Sequence, residues 1–565
     1  MDQSRRLYRD AVLALALAAV LSAAWVLRDW QHLLALRLPD TDDMARLQQI
    51  RDWLGGQAFA DLAQHRLAEG LMMHWSRLPD LVPALIIRLL SPLIGGHDAA
   101  LVAVIAWPLM LFAAMLLLVA RIAGRLAPQA APTALVLAAI AYPVTSLFAP
   151  GRIDHHGFQI VLMLLAVHGG LAATGLASGA VIALASAASL VIGMEIAPFL
   201  AILAGWVLID WLRGGSGKRL TGYGLGLLAM LMAARAIFGG TGWDYPACDG
   251  FTAITWRLAM LGGAGALALG MAGYWVRRPV ARLALTAALG APAMAVAWPA
   301  ARACLHPYGS IDPLVVRLWL QHVGEAQPLF AAPLATAIGY AGLLVAGLAA
   351  GVWRWRKAGT PGWALLLALQ LASMALALFE LRGVYAGAVL GAPALATVIG
   401  AARTRGVAAL AAAWFAATGM LYPIAAQALV TTPPAPATSG AACPATGTLN
   451  AAPPTMVMAA IDRGPAILAG TRHRILAAPY HRNNAGNAAM YRFFLGTPDA
   501  AAEIARHWHV GLVLLCPGDF AELNGQVPRA SLLAHLRDGR PPAWLMPVAP
   551  GLYRITGLPE RPRTL

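Results

Sequence analysis

The sequence predicts an α-helical, polytopic membrane protein with a small soluble α/β domain at its C-terminus. Of its 565 residues, 59% are hydrophobic and only 12% are charged, whereas soluble domains usually carry about a quarter charged residues. Apolar stretches of about 20 residues, the length that crosses a bilayer core, recur along the chain. Residues 451–565 lack such stretches and alternate between strand-like and helix-like segments instead, as in HRILAAPY, VGLVLLCPGD and TPDAAAEIARHWH.

The apolar stretches predict about thirteen transmembrane helices. They lie near 11–28, 99–120, 131–149, 158–175, 177–193, 195–212, 219–238, 254–275, 282–300, 331–352, 362–379, 384–401 and 406–428. The first follows a basic start, MDQSRRLYRD. Because this stretch is long and lacks a convincing small-residue cleavage site, we expect a retained anchor rather than a signal peptide.

The distribution of arginine and lysine predicts the orientation. With a cytoplasmic N-terminus, the clusters RIAGR, RGGSGKR, VRRPVAR, WRWRK and RTR all fall in short cytoplasmic loops, as the positive-inside rule requires. The excess of 15 positive charges therefore reflects membrane orientation. Nucleic-acid binding would instead require a soluble basic face with aromatic platforms. We expect a bacterial inner-membrane protein whose C-terminal domain is periplasmic.

The predicted membrane domain covers 1–428, with a large first outer loop at 30–98 and a fifth outer loop at 301–330. A Pro/Ala/Thr/Gly-rich linker at 429–450 leads into the soluble domain at 451–565. All four cysteines fall on the predicted outer side, which is oxidising. The pairs Cys248–Cys304 and Cys443–Cys516 form one of three connectivities, and free thiols are the alternative.

Two motifs on the outer side carry candidate metal ligands. Asp40, Asp42 and Asp43 precede a helix-like run, and three acids are more than capping of one helix requires. In GRIDHH, Asp154 and His156 lie two residues apart. In an extended loop both would therefore point the same way and His155 would face elsewhere. Carboxylate oxygens and imidazole nitrogens suit Mn²⁺ or a similar divalent ion; the alternative is a packing role.

Three further ionisable residues lie near predicted spans, where charge is costly. Glu325 lies in the fifth outer loop, where an ordinary surface glutamate is the alternative. Arg382 lies at the outer end of a span, either extending to the interface or binding an anion such as a pyrophosphate. Glu195, in VIGMEIAPF, would lie at membrane depth and fits either an enzyme or a transporter.

In their order, spacing and side of the membrane, these motifs resemble those of oligosaccharyltransferase catalytic subunits, which are membrane glycosyltransferases of the GT-C class. DDMARLQQIRDWLGG is similar to the first aspartate motif of the family, and its spacing selects Asp42, with Asp43 as the nearest rival. GRIDHH is similar to the archaeal-type second motif, in which the Asp and the second His bind the metal. The corresponding residues here are Asp154 and His156.

The resemblance extends to two further motifs and covers roughly residues 1–430. VGEAQPLF resembles the loop-five signature of the family, with Glu325 and Gln327 at matching positions and with departures at Val323 and Gly324. Arg382, which precedes a Tyr and a Pro at the family's spacing, is similar to the arginine that grips the lipid-linked pyrophosphate.

The resemblance implies the GT-C fold and a metal-dependent, inverting transfer of a sugar or oligosaccharide from a polyprenyl-(di)phosphate carrier. The acceptor would be a protein, lipid or glycan in the periplasm. Asp42, Asp154 and His156 would hold Mn²⁺ or Mg²⁺. Arg382 would bind the donor phosphate, and Glu325 would act with Asp42 in catalysis by orienting the acceptor or taking its proton.

The chain departs from the family because its C-terminal domain lacks WWDYG, the motif that recognises the Ser/Thr of an asparagine sequon. A GT-C transferase that modifies lipid A, a polysaccharide or another envelope glycan is therefore an alternative. A transporter or flippase, and a non-enzymatic envelope assembly protein, are alternatives of other classes. Transporters usually place their acids at the bilayer midplane in inverted repeats. Here the motif acids lie in outer loops and no two halves look alike, with Glu195 as the exception.

Two polar segments have no counterpart in these motifs. MHWSRLPD contains His74 and Arg77, and APYHRNNAGN contains His481 and Arg482. Each segment either contacts a phosphate or sugar or packs the outer loops.

Overall fold

The computed structural model describes residues 3–305, 310–430, 443 and 446–558, and most of them are α-helical. The chain divides into two compact units. The first comprises Met1–Leu36, His74–Pro307 and Gly324–Thr432, and the second comprises Arg37–Met73, Tyr308–Val323 and Pro433–Leu565. The second unit thus contains segments of two predicted outer loops as well as the predicted soluble domain.

Helices and strands are numbered here in chain order over the described residues. The α-helices are α1 (Gln3–Leu34), α2 (Thr41–Leu54), α3 (Leu81–Ile94), α4 (Gly96–Leu126), α5 (Ala131–Ala139), α6 (His156–Gly170), α7 (Leu176–Ile192), α8 (Ala197–Leu212), α9 (Lys218–Phe238), α10 (Ala253–Ala272), α11 (Pro279–Ala301), α12 (Pro313–Leu318), α13 (Leu334–Ala358), α14 (Pro361–Ala377), α15 (Val384–Leu390), α16 (Ala392–Ala402), α17 (Val407–Ala417), α18 (Leu421–Leu429), α19 (Thr446–Asn450), α20 (Gly464–Gly470), α21 (Asn484–Leu495), α22 (Pro498–His507) and α23 (Leu532–Arg537). The strands are β1 (Ala63–Gln64), β2 (Leu71–Met72), β3 (Met456–Met458), β4 (Arg474–Ile475), β5 (Val510–Leu514), β6 (Leu545–Ala549) and β7 (Leu552–Ile555).

The first unit contains the candidate membrane spans. Six helices of the described chain are long and apolar enough to cross a bilayer: α1, α4, α9, α10, α11 and α13. Two pairs of helices, each bent at a short break, would add one span each. They are Leu381–Leu390 with Ala392–Arg405, bent by 47°, and α17 with α18, bent by 87°. Helices α3, α6, α7, α8 and α14 are apolar but shorter. The chain is therefore a multi-pass membrane protein, as predicted.

Most of the predicted spans fall on single helices, but 384–401 and 406–428 fall on the two bent pairs. The stretch 131–149 differs in another way. It is α-helical only over Ala131–Ala139, and a 3₁₀ turn follows at Val144–Phe148. Pro143 has no backbone N–H with which to continue the α-helix, and its ring disfavours helical geometry in the residue before it. Hydropathy alone therefore overestimated the helical length of this span.

Close packing of α7 against α9, and of α9 against α10, depends on glycine. A Cβ at Gly179 of α7 would lie 2.1 Å from the carbonyl oxygen of Arg219, and one at Gly224 of α9 would lie 2.3 Å from the backbone nitrogen of Leu267. Helices in an apolar environment associate through such small residues, which let the backbones approach.

The second unit is built on a five-stranded mixed sheet of order β4-β3-β5-β7-β6. β3 pairs in parallel with β4 and β5, and β7 pairs antiparallel with β5 and β6. At the β4 edge, Leu67 adds a parallel bridge to Ile475. Arg66 fastens this segment by donating to the carbonyls of Thr471 at 2.7 Å and Leu468 at 2.9 Å.

The core of the second unit draws on all three segments of the chain. Val315, Leu318 and Trp319 are buried in one cluster with residues of β3, α21, α22 and α23. The Tyr491 hydroxyl of α21 donates to the carbonyl of Leu318 at 3.2 Å. The segment around α12 is therefore an integral part of this unit.

Both disulfides join cysteines within one unit. Cys248 bonds to Cys304 in the first unit, and Cys443 bonds to Cys516 in the second. Of the three connectivities open to the sequence, the structure forms this one.

Candidate functional site

The Asp154-His155-His156 motif lies in a tight turn that leads into α6. His155 has a helical backbone conformation, with φ −76° and ψ −17°, and α6 begins at His156. The alternation of an extended loop therefore does not apply. The two oxygens of Asp154 contact both rings, one at Nδ1 of His155 and the other at Nδ1 of His156. The prediction that His155 faces elsewhere is thus wrong.

The three side chains form a compact group of metal-type ligands. One carboxylate oxygen and one ring nitrogen from each histidine lie within 4.8 Å of one another. The two imidazoles stack with their centroids 4.4 Å apart. Asp154 and His155 are 4% and 2% exposed. This mixture of oxygen and nitrogen ligands suits a divalent transition ion such as Mn²⁺.

His156 offers the clearest test of whether a metal fits. In the neutral ring, donation from Nδ1 to Asp154 leaves the lone pair on Nε2. That Nε2 is buried and has no hydrogen-bond partner among the described residues. A buried, unsatisfied polar atom costs about 1–3 kcal/mol, and coordination of an ion would remove this cost. The residues present therefore fit a divalent metal.

Glu195 supports His155 from a position 40 residues further along the chain. Its Oε1 lies 3.1 Å from His155 Nε2, and its Oε2 accepts from Nε2 of Gln159 at 2.9 Å. Gly193 leaves room for this carboxylate, because a Cβ there would lie 2.4 Å from Glu195 Oε2. Hydrogen bonds to the far nitrogen of an imidazole fix its orientation in metal sites. The sequence analysis noted Glu195 but left its role open.

The two histidines therefore differ in their surroundings. Burial acts to lower the pKa of His155, but the charges of Asp154 and Glu195 outweigh it and raise that pKa to about 10. His155 thus bridges two carboxylates with both ring nitrogens. By contrast, His156 contacts one carboxylate and keeps a nitrogen open to a ligand.

The MHWSRLPD segment packs around this group. Trp75 is buried beside His155, with ring centroids 6.4 Å apart, and the ring of His74 contacts Trp75 at 5.2 Å. Arg77 and Asp80 form an ion pair at 3.5 Å in which each side chain is 1% exposed. Of the two interpretations of this segment, the geometry favours packing over contact with a phosphate.

Glu325 and Arg382 act on the same group electrostatically, Glu325 on His156 and Arg382 on Glu195. Glu325 lies in the 3₁₀ turn Gly324–Ala326, and Arg382 lies in the turn Leu381–Gly383. The backbone joins the two turns, since the N–H of Leu381 donates to the carbonyl of Gln327 at 2.9 Å. Nε of Arg382 donates to Glu380 at 2.6 Å. The structure thus places Glu325 and Arg382 in two adjoining turns.

The sequence analysis missed Arg152 and three tyrosines near the site. Nη2 of Arg152 lies 3.8 Å from Oδ2 of Asp154. The rings of Tyr142, Tyr340 and Tyr385 form a chain with centroid separations of 5.7 and 6.2 Å. Glu325 acts electrostatically on Tyr340 and Tyr385. Arg152 could have been found from its place in GRIDHH, and Tyr385 from the motif that follows Arg382, whereas Tyr142 and Tyr340 had no sequence signal.

The remaining predicted site residues belong to the second unit. Asp40 caps α2 by accepting from the N–H of Asp42 at 3.1 Å, and Asp43 is buried in the same first turn. Asp40 is thus the acid used for capping. His481 and Arg482 lie in the turn His481–Asn483, where Nη1 of Arg482 donates to the carbonyl of Met73 at 3.2 Å. The metal-binding role of Asp42 stays a prediction, as do the roles of Asp43 and His481.

The chain thus combines a multi-pass helical unit, which carries this turn at the head of α6, with a mixed-sheet unit. The structure superimposes on the oligosaccharyltransferase AglB of Archaeoglobus fulgidus in complex with an inhibitory peptide and a dolichol-phosphate, with a TM-score of 0.66 and 17% identity over 90% of this chain and 69% of that chain. The apo form of the A. fulgidus oligosaccharyltransferase gives a TM-score of 0.66 and 14% identity over 91% and 72% of the two chains. Its complex with Zn and sulfate gives 0.60 and 15% identity over 88% and 67%.

No family model and no curated protein sequence matches the chain. At these identities the likeness establishes the fold, and the predicted GT-C, oligosaccharyltransferase-like fold is confirmed.

Proposed function

We propose that this chain is a membrane glycosyltransferase that transfers a sugar or oligosaccharide from a polyprenyl-(di)phosphate carrier to an acceptor on the outer face of the membrane. The Asp154-His155-His156 group, with the open Nε2 of His156, carries the proposal because it lies on the fold of an oligosaccharyltransferase. The dolichol-phosphate and the peptide bound to AglB accord with a lipid-linked donor and a peptide acceptor.

Asp154 and His156 would hold the divalent ion, and Asp42 is proposed as a further ligand on its sequence motif alone. When bound, the ion would supply Lewis-acid stabilisation of the negative charge that develops on the leaving phosphate. Zn in a structure of the A. fulgidus enzyme accords with a divalent ion on this fold.

The other residues would position the reactants. Arg382 would bind the donor phosphate through charge-assisted hydrogen bonds, with its guanidinium held by Glu380. Glu325 would orient the acceptor nucleophile and accept its proton. Holding the nucleophile in line with the anomeric carbon would lower the entropic cost of reaction. A single displacement of this kind inverts the anomeric centre without a covalent enzyme intermediate.

A second candidate acceptor class follows from the sequence. Residues 451–565 contain no WWDYG, so recognition of an asparagine sequon has no identified basis in this chain. Transfer to lipid A, a polysaccharide or another envelope glycan uses the same donor chemistry and is the alternative.

The experiment compares the envelope glycome and glycoproteome of cells with and without the gene. We expect a sugar to disappear from one acceptor class, which identifies the acceptor. Complementation with Asp154→Ala should fail to restore the sugar. Asp98→Ala, an exposed acid near the start of α4, should restore it. An unchanged glycome and glycoproteome in the deletion strain would refute the transferase, and full complementation by Asp154→Ala would refute the metal site.

A further inference from the structure

A basic cavity lies far along α4 from the candidate site, at the end of the first unit that carries loops predicted to be cytoplasmic. It has a volume of about 450 Å³ and lies between the N-terminal part of α1 and the C-terminal part of α4. Four arginines and one carboxylate line it: Arg6, Arg9, Arg121, Arg125 and Asp10. Asp10 is engaged by Arg9, whose Nη2 lies 2.7 Å from Oδ1. The cavity thus has an excess of positive charge.

The arginines on α4 are poorly neutralised. Over the residues that the structure describes, Arg121 makes no side-chain hydrogen bond or ion pair. Among the same described residues, Arg125 donates to His168, to its carbonyl at 2.8 Å and to its Nε2 at 3.0 Å. Because Nε2 of His168 accepts a hydrogen bond, the ring is neutral and adds no negative charge. Arg121 and Arg219 both repel Arg125, and like charges at i and i+4 of a helix are destabilising.

A neighbouring cavity provides an internal comparison. It has a volume of about 360 Å³, shares Arg125 with the first cavity, and is also lined by Arg219 and Asp210. Nη1 of Arg219 lies 3.6 Å from Oδ2 of Asp210. The second cavity therefore has two arginines for one carboxylate, whereas the first has four arginines for one carboxylate. The first cavity has the larger excess of positive charge, so it would gain more from an anion.

We propose that the cavity between α1 and α4 binds the phosphate group of an anionic phospholipid headgroup. Guanidinium groups bind phosphate with paired, charge-assisted hydrogen bonds. Basic pockets between transmembrane helices on the cytoplasmic side are suited to such headgroups. The apolar part of the lining matches a ligand that is phosphate at one end and hydrocarbon at the other; it consists of Leu7, Ala120, Pro128 and Ala131. This binding is independent of the proposed glycosyl transfer.

The test uses the full-length protein, purified in detergent and delipidated. It is titrated with short-chain phosphatidylglycerol, short-chain phosphatidylcholine and inorganic phosphate, and binding is followed by native mass spectrometry and by the lipid-induced rise in melting temperature. We expect phosphatidylglycerol to bind at least about tenfold more tightly than phosphatidylcholine. Inorganic phosphate should bind weakly, because it cannot use the apolar wall.

Arg121→Gln is the informative variant because the Arg121 side chain makes no hydrogen bond among the described residues, so its loss should not destabilise the fold. We expect it to weaken phosphatidylglycerol binding about tenfold and to leave the melting temperature of the lipid-free protein unchanged. Arg121→Lys should retain intermediate affinity. The control is Arg403→Gln, an exposed arginine in another predicted cytoplasmic loop, which should bind like the wild type.

Three outcomes would overturn the proposal. Equal affinity for the two lipids would show that the cavity does not select anionic headgroups. Equal weakening by Arg121→Gln and Arg403→Gln would assign the effect to general surface charge. Competition by inorganic phosphate at the affinity of phosphatidylglycerol would show that the ligand is free phosphate rather than a lipid.

Discussion

Two histidine-containing motifs of this protein use their polar side chains in opposite ways. In Asp154-His155-His156, the side chains face one another and leave Nε2 of His156 without a partner among the described residues. In the segment around YHRNN, the side chains hold the backbone. Asn483 donates to the carbonyl of Leu476 at 2.9 Å, and Asn487 accepts from the N–H of Ala478 at 3.1 Å.

The difference shows what separates a candidate site from a structural motif of similar composition. Buried polar atoms are nearly always satisfied, so a motif whose side chains satisfy backbone groups is already explained by folding. A motif whose carboxylate and ring nitrogens converge as metal-type ligands, with one ring nitrogen left open, is instead a candidate for binding a ligand. By this criterion the first motif is the candidate site. The second keeps only His481 and Arg482 as proposed contacts for a phosphate or sugar.

The largest expected effect would test the first half of this comparison. Asp154→Asn removes the charge that contacts both rings, while keeping the size of the side chain. We expect bound metal to be lost while the protein stays inserted and folded. Loss of a hydrogen bond that supports a metal ligand can lower activity ~100-fold, and loss of the ligand itself should lower activity by more than this. Metal content by mass spectrometry and transfer of a labelled sugar measure this. Asp98→Asn is the control, and metal retained at the wild-type level in Asp154→Asn would contradict the assignment.

Glu195→Gln should have the next largest effect. The amide can still contact His155 but loses the negative charge, so we expect metal affinity and activity to fall roughly 10- to 100-fold. A titration of metal affinity distinguishes a positioning role from a merely structural one, which would lower the melting temperature alone. Glu503→Gln, at an exposed site in the second unit, is the matched control. An unchanged metal affinity would show that Glu195 does not support the cluster.

Asn487→Ala would test the second half of the comparison. Asn487 is 0% exposed and joins the N–H of Ala478, the side chain of Asn483 and the carbonyl of Tyr480. Leaving these groups unpaired should lower the free energy of unfolding of the second unit by about 1–3 kcal/mol. Hydrogen exchange of the Ala478 amide in the full chain measures the loss.

The matched control for this variant is Asn450→Ala, an exposed asparagine that donates to Gly470, and it should change stability by less than about 0.5 kcal/mol. Metal affinity should be unchanged in both variants. If Asn487→Ala abolished metal binding or activity without destabilising the unit, the second motif would be functional and the comparison would fail.

Gly193→Ala should have the smallest effect. The backbone there is extended, with φ 177°, so alanine causes no backbone strain, but its Cβ would displace the Glu195 carboxylate. We expect a few-fold loss of metal affinity, less than for Glu195→Gln. Gly205→Ala, where a Cβ meets nothing within 4 Å, should be neutral. In the Glu195→Gln background Gly193→Ala should add little, because both changes act on one contact; additive losses would contradict this.

Most of the membrane fold could be predicted from the sequence because span length and apolar composition are local properties. Its exceptions are also local, as at Pro143, which ends the α-helical part of the third predicted span early. The membership of the second unit could not be predicted. Arg66 bonds to Thr471 405 positions further on, and short apolar strings carry no information about such distant partners.

The candidate site was predictable where its residues are neighbours in the sequence and unpredictable where they are not. Asp154 and His156 followed from one motif. The orientation of His155 depended on whether the turn is helical, which the sequence does not specify. Glu195 reaches the site only through the packing of the segment that follows α7, and its one sequence signal was a carboxylate in an apolar stretch.

The composition of the second unit has a consequence for how the chain is synthesised. Translation releases Leu67 and Trp319 well before the strands of the C-terminal sheet exist. Their partners in the unit, including Ile475 and the buried residues of α21, are made last. Until the C-terminal segment has been synthesised, the apolar residues of the early segments therefore stay uncovered, and exposed apolar surface of this kind is prone to aggregation. An excised tail beginning at residue 451 would lack Val315, Leu318 and Trp319 from its core, so a fragment for solution work must include the 308–323 segment.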